Sequence, residues 1–211
     1  MIFVVPTVSI VVPTYQEREN ISFVVRAIAE AISDYEYEIV VVDDSSPDGT
    51  AHIAEKLSKR YPIKVVVRRG KLGLSSAIQD GFKHSLGDIV GVIDADMQHP
   101  PELLGTLVRA IEEGYDIAIA SRYVHGGGVE NWSIFRRMVS KGATLLARPI
   151  SKVKDPLSGY FLVSREIIEG VQFPCVGYKF LLCILAIKSR AKVVEVPYVF
   201  RNRKRGKSKL G

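Results

Sequence analysis

The stretch most able to do chemistry is Asp94-Ala-Asp96-Met-Gln98, which ends the apolar run Val90-Gly-Val-Ile93. Two carboxylates in an Asp-x-Asp spacing just past a buried strand, with an amide oxygen two residues on, form an oxygen-only donor set. Such a set suits a divalent cation and, through it, a diphosphate. Mg²⁺ or Mn²⁺ fits these ligands better than zinc. The competing reading is a polar loop end, since Asp is common in turns.

Other polar residues follow other apolar runs in the same way. Glu17 and Asp44 as further metal ligands would crowd the pocket with like charge, so hydrogen bonding to a base or ribose suits them better. Asp43, Asp44, Ser45 and Ser46 can also cap the start of the next helix, and for Asp43 capping is the preferred role. Arg122 can face a phosphate, and Arg136 with Ser140 at i, i+4 share one helical face. An arginine fork beside a hydroxyl makes an anion site, although a solvated Arg136 fits as well. His99 and Trp132 read more readily as packing than as chemistry. The chain has no Gly-x-x-x-x-Gly-Lys-Ser/Thr loop, no Gly-x-Gly-x-x-Gly after its first strand, no Ser-His-Asp order and no metal-ligating His pair.

These residues need elements to hold them, and hydrophobic spacing supplies the elements. Strands are expected at 8–12, 38–42, 63–67, 88–93 and 116–120, each a near-continuous apolar run. Helices are expected at 20–32 with Asn20 as cap, 50–60, 74–85, and from Pro100 to Gly114. Strict alternation of the two implies a parallel sheet covered on both faces, a doubly wound α/β fold. Glu17, Asp44 and Asp94 to Gln98 then share its carboxyl edge, where ligands of open α/β sheets bind. After Arg122 the pattern loosens into Gly126-Gly-Gly128, a helix from Trp132 to about Pro149, the turn Asp155 to Gly159, a strand at 160–163, helices at 165–170 and 179–189, and a strand at 193–199.

Composition narrows the classes. The 211 residues can bury one full core, and no break marks a second compact unit. Cys175 and Cys183 lack metal-ligand spacing and read as buried thiols in a reducing setting. The opening Met1 to Pro6 is too short for a signal-peptide core, and no apolar run reaches the ~18 to 20 residues of a membrane span. The net charge is +6, with Arg201, Arg203, Lys204, Arg205, Lys207 and Lys209 crowding the end. Such a run meets nucleic acid, an anionic membrane or a polyphosphate, or is simply solvated.

Taken in order, Pro13-Thr-Tyr-Gln-Glu17, Val42-Asp-Asp44-Ser-Ser-Pro-Asp-Gly-Thr50, Lys71-Leu-Gly73, Asp94-Ala-Asp-Met-Gln98-His-Pro100, Ser121-Arg-Tyr123, Asp155-Pro-Leu-Ser-Gly159 and Gly206-Lys-Ser-Lys-Leu210 resemble the dolichol-phosphate mannose synthases, family 2 glycosyltransferases of the GT-A fold. The resemblance covers nearly the whole chain. It implies transfer of mannose from GDP-mannose to dolichyl phosphate with inversion, at the cytoplasmic face of a membrane, and no nucleic-acid partner. By motif, Pro13, Tyr15, Glu17, Val42 and Asp44 hold the guanosine, Asp94 and Ala95 the ribose and sugar region, and Asp96 with Gln98 the metal. Arg122, Arg136 and Ser140 receive the acceptor phosphate, while Lys179, Arg203 and Lys209 neutralise or close over the diphosphate. Residues 1–122 are thus the nucleotide-sugar half and 123–211 the acceptor half of one domain. Relatives commonly carry an acid where this chain has Cys183, and many continue past Gly211 into interface helices or membrane spans. A UDP-sugar transferase and a non-catalytic nucleotide-sugar-binding subunit are the alternatives.

Overall fold

The structure, a computed structural model, describes residues 7–174, 177, 179–203 and 205. Its central sheet has seven strands: β1 Val8–Thr14, β2 Tyr37–Asp43, β3 Ile63–Val67, β4 Ile89–Val92, β5 Ile117–Ser121, β7 Phe161–Ser164 and β8 Val193–Pro197. A two-residue strand β6, Gly128–Val129, pairs separately with β9, Val199–Phe200. The helices are α1 Ile21–Ala31, α2 Thr50–Leu57, α3 Leu74–His84, α4 Leu104–Glu112, α5 Ile134–Ala147, α6 Arg165–Ile168 and α7 Phe180–Ile187.

Both faces of the sheet are covered because its strands are apolar on both sides. Val8, Ile10 and Val12 of β1 point to one face, where α1 and α4 supply Val24, Ile28, Leu104 and Leu107. Val11 points to the other, with Val40 and Val42 of β2, Phe82 of α3 and Phe180 and Ile184 of α7. The period of two in β1 therefore joins both cores through one strand.

The strand order is β3-β2-β1-β4-β7-β5-β8. From β1 the chain builds outwards through β2 and β3 on one side and returns to place β4 on the other, so the order reverses between β1 and β4. A crevice at the carboxyl ends of those strands follows from that reversal. Thr14, Asp43 and the Asp94 loop all stand there.

The sheet is mostly parallel, as expected, and β1 to β5 all run the same way; β7 inserts between β4 and β5 and runs antiparallel to both. Burial on both faces yields the same apolar run whichever way a strand points, so periodicity could locate β7 but not orient it. Gly91 of β4 lets the neighbours close in, since a Cβ there would lie 2.8 Å from Ile10 Cδ1 and 2.9 Å from Leu162 Cδ1.

Two smaller departures are local. Asn20 does not cap α1 with its side chain; its Nδ2 donates to Glu17 Oε2 at 2.6 Å, and Glu17 O accepts from Asn20 and Ile21 N. Cys183 on α7 is disulfide-bonded rather than a free thiol, and Cys175 lies outside the described residues. Low cysteine density speaks to compartment and not to whether two thiols meet.

Candidate active site

At the β1/β4 reversal lies a cleft of about 760 Å³, lined by Pro13, Tyr15, Glu17, Asp44, Lys71, Asp94, Ala95, Asp96, Gln98, Arg136 and Arg203 among others. Most residues expected to bind the donor therefore meet in one place. Glu17 is fixed below the rim: its backbone N–H donates to Thr50 Oγ1 at 2.9 Å, and its Oε2 accepts from Asn20 Nδ2 at 2.6 Å.

The metal-binding expectation rests on a tight turn. Met97 is left-handed (φ 62°), a conformation side chains tolerate poorly, and it folds Gln98 back so that its N–H reaches Asp96 Oδ1 at 3.0 Å. Gln98 Nε2 donates to Arg201 O at 3.1 Å, which leaves Oε1 as the amide atom a cation would use. Burial pushes the Asp96 carboxyl above its ordinary range and the nearby Asp94 adds to that, against the Gln98 N–H and Arg203. A cation relieves both causes. One carboxylate and one amide oxygen, completed by diphosphate oxygens and water, fit Mg²⁺ or Mn²⁺; among the described residues no cluster of three or more His, Cys, Asp or Glu offers a fuller cage.

Arg203 crosses the cleft from the segment after β9. Its Nη2 donates to Asp96 Oδ2 at 2.7 Å and its Nη1 stands 3.4 Å from Glu17 Oε1. Of the basic residues near the chain's end, Arg203 is brought into the cleft, while Lys204, Lys207 and Lys209 lie outside the described residues.

Asp44 lines the cleft with its acceptors already committed. Oδ1 takes Arg68 Nε at 2.5 Å and also pairs with Nη2, while Oδ2 takes the backbone N–H groups of Leu72 at 3.1 Å and Gly73 at 2.9 Å. A carboxylate has about four acceptor positions, and these four donors fill them. Asp44 thereby pins the Lys71 to Gly73 turn on the rim, where Lys71 Nζ lies 4.5 Å from the Tyr15 ring centroid. Asp43 is structural, as expected, but it ties Thr14 and the Ser46 turn rather than a helix start.

Three expected site residues stand outside this cleft. The Val42 side chain is fully buried in the core with Val11 and Val40, because alternation along β2 turns it away from the edge. Lys179 is exposed where α7 begins and does not line the cleft. Arg122, with its side chain 10% exposed, is held by the fully buried Asp155: Nε to Oδ2 at 2.8 Å, Nη2 to Oδ1 at 2.7 Å and the backbone N–H to Oδ2 at 2.9 Å. Asp155 is itself set by Glu195, which accepts from Asp155 N, Lys154 N and Ser121 Oγ.

The acceptor trio divides around Trp132. Arg136 lies 4.2 Å and Arg122 5.7 Å from the indole ring centroid. Arg136 lines the cleft at the β1/β4 reversal, whereas Arg122 lines a second hollow of about 850 Å³ with Tyr123, Arg137 and Lys141. Ser140 Oγ is 2.6 Å from Tyr123 Oη, and the Tyr123 ring centroid is 5.4 Å from the Arg122 guanidinium, a link through a phenol that the i, i+4 spacing did not reveal. Arg68 was not singled out, and Lys71 and Asp155 entered only within quoted motifs, with no role assigned to either.

Residues 9–172 match the family described as glycosyl transferase family 2. A dolichol-phosphate mannosyltransferase of Pyrococcus furiosus is 50% identical over 207 residues, covering 96% of this chain but 59% of that protein. A polyprenol monophosphomannose synthase of Mycolicibacterium smegmatis is 38% identical over 95% of this chain and 80% of its own length. Glucosyl-3-phosphoglycerate synthase of Mycobacterium tuberculosis, solved with Mn²⁺, UDP and glucosyl-3-phosphoglycerate, superposes with a TM-score of 0.72 at 22% identity over 97% of this chain and 74% of that one. With that match running across most of the sheet and through the cleft, the chain belongs to glycosyl transferase family 2 and has its GT-A fold.

Proposed function

We propose that the chain transfers mannose from GDP-mannose to the phosphate of a dolichyl-type polyprenyl lipid, with inversion, at a membrane surface. The observation that carries the proposal is the meeting of Asp94, Asp96, Gln98, Arg136 and Arg203 in one cleft at the sheet's carboxyl edge. Names of the two relatives support the sugar and the acceptor class. In this reading residues 1–122 hold the donor and 123–211 serve the acceptor.

Asp96 Oδ2 and Gln98 Oε1 are the atoms that would hold Mg²⁺ or Mn²⁺. When bound, that ion supplies charge to stabilise the departing diphosphate. Arg203 brings a second cation to the same side, and Tyr15 with the Lys71 to Gly73 turn, pinned by Asp44, frames the nucleoside. Arg136, with Arg122 behind Trp132, lowers the repulsion between two anions that must approach. The acceptor needs no general base: a phosphate monoester, with a second pKa near ~6, is mostly dianionic at neutral pH. Its oxygen bonds to the anomeric carbon as the carbon–oxygen bond to the diphosphate breaks, and GDP leaves with the electron pair.

Contact with the membrane is assigned to α5. Ile134, Phe135, Met138, Val139, Leu145 and Leu146 are all exposed on it. From Trp132 to Lys154 the chain has six Lys or Arg and no Asp or Glu. Exposed apolar side chains interleaved with cations suit a helix lying in an anionic interface; among the described residues no helix is long and apolar enough to cross a bilayer.

The deciding experiment incubates the protein with labelled GDP-mannose, dolichyl phosphate and Mn²⁺ and extracts lipid-linked mannose. The expected result is Mn²⁺-dependent label in the lipid phase. Turnover only with UDP-glucose or UDP-N-acetylglucosamine overturns the donor, and nucleotide-sugar binding without turnover supports a non-catalytic role.

A further inference from the structure

Asp94 reaches the cleft with its side chain 38% exposed, yet its other side is held by a ring that is almost completely buried. His99 is 3% exposed, and its Nε2 lies 3.2 Å from Asp94 Oδ2. On the opposite edge of the same ring, Nδ1 lies 2.9 Å from Tyr198 Oη, and Tyr198 is 4% exposed. The ring is boxed by aromatic neighbours, with Tyr160 at 5.4 Å, Phe200 at 5.2 Å and Tyr198 at 5.6 Å between centroids.

The chemistry of the two partners selects one tautomer. An ionised carboxylate only accepts, so Nε2 must carry the proton it gives to Asp94; Nδ1 of the neutral ring is then an acceptor, and the phenol O–H of Tyr198 supplies its donor. One Asp94 oxygen is thereby committed, and the orientation of the carboxylate towards the cleft is set by a rigid, buried ring. Tyr198 also stands just before β9, from which the chain runs on to Arg203, so one network fixes the acid on the β4 side and the start of the basic segment opposite it.

We infer that His99 is a positioning residue for the transfer: locked as its Nε2–H tautomer by Tyr198, it aims the Asp94 carboxylate into the sugar end of the donor cleft. The inference rests on the glycosyl transfer proposed above and concerns a residue that touches neither substrate. A packing role for the ring makes the opposite prediction for substitutions. His99→Phe keeps an aromatic plate in the box and loses both hydrogen bonds, whereas His99→Gln loses the plate but keeps an amide N–H near Nε2.

The experiment compares the two variants with the parent in mannosyl transfer, GDP binding by calorimetry and thermal melting. His99→Phe is expected to melt close to the parent and bind GDP within about twofold of it, while kcat falls roughly ten- to hundredfold, the scale of one lost hydrogen bond to a charged group. His99→Gln is expected to recover a substantial part of that kcat despite melting lower. If His99→Phe is as active as the parent, or more active than His99→Gln in step with stability, the ring is packing and the inference falls. A readout free of turnover is ¹⁵N NMR of the imidazoles, assigned by the signals lost in His99→Gln. A protonated Nε2 and bare Nδ1 at His99 are expected, and a protonated Nδ1 overturns the inference even if no sugar acceptor is found. A parent that transfers no mannose while showing the expected tautomer counts against the functional reading instead.

Discussion

Arg203 Nη2 donates to Asp96 Oδ2 at 2.7 Å, so the side chain expected to hold the metal is met by a cation from the other end of the chain. The two charges occupy one buried corner, where the desolvated Asp96 carboxyl needs a positive partner. In the function proposed above, Asp96 would exchange Arg203 for the divalent ion, and the released guanidinium would be free to meet a diphosphate.

That exchange has a measurable signature. Arg203→Gln is expected to bind Mn²⁺ several-fold more tightly than the parent without nucleotide, because a competing charge a few ångströms away is removed. Transfer is expected to fall roughly 10²-fold for loss of one charge-stabilising donor. Asp96→Asn loses both Mn²⁺ binding and transfer while keeping its melting temperature within a few degrees. Calorimetry with Mn²⁺ checks the pair, and equal affinity in parent and Arg203→Gln rules out competition for Asp96.

The Arg122–Asp155 pair makes a prediction about stability. Asp155 is fully buried and Arg122 nearly so, and the bidentate contact is reinforced by the Arg122 backbone N–H. Removing one partner strands the other charge, a loss of about 3–5 kcal/mol. Asp155→Asn is thus expected to lower the urea midpoint strongly and, by releasing Arg122, to reduce transfer as well. A midpoint within error of the parent excludes a structural role for the pair.

The contrast between these two relationships shows what the sequence makes legible. Asp94, Asp96 and Gln98 stand out because an apolar run stops abruptly at them, and their neighbours on β1 and β2 are found because strand–helix alternation places each strand end on one edge. The Arg122–Asp155 contact spans 33 residues, and nothing in either motif names the other residue as its partner. The Val42 side chain lies in the core because a motif ignores parity: adjacent strand residues face opposite sides, so the neighbour of an edge residue can be pure core. The direction of β7 was hidden for a related reason, since burial constrains how apolar a strand is and leaves its polarity to the connections.

Alkaline stability follows from the buried phenols. Burial raises the Tyr160 hydroxyl well above its ordinary value near 10, and raises Tyr198 as well. In the unfolded chain both ionise near pH 10, so above that pH the unfolded state holds fewer protons than the folded one. Their contribution is complete below pH 10 and is lost as pH rises towards the folded-state values, at about 1.4 kcal/mol per pH unit for each phenol. Urea denaturation between about pH 9 and pH 11 is expected to show a steep fall that Tyr160→Phe and Tyr198→Phe each make shallower by about one proton. An unchanged slope in both variants means that the phenols ionise in the native protein.

The proposed membrane face can be separated from the chemistry because α5 presents its apolar side chains outwards. Phe135 is 77% and Leu146 82% exposed, far more than folding requires of such residues. Each is worth about 1.5–3 kcal/mol when fully withdrawn from water, so two acidic replacements remove apolar contact and also repel an anionic surface. Phe135→Glu/Leu146→Glu is expected to lose sedimentation with liposomes rich in anionic lipid by at least about tenfold while GDP binding and melting stay near the parent. Raising salt is expected to weaken binding of the parent, since the Arg and Lys of the same segment act through screened charge. Equal sedimentation of parent and double variant places membrane contact elsewhere on the protein and withdraws the assignment to α5, leaving the donor cleft to be judged by turnover alone.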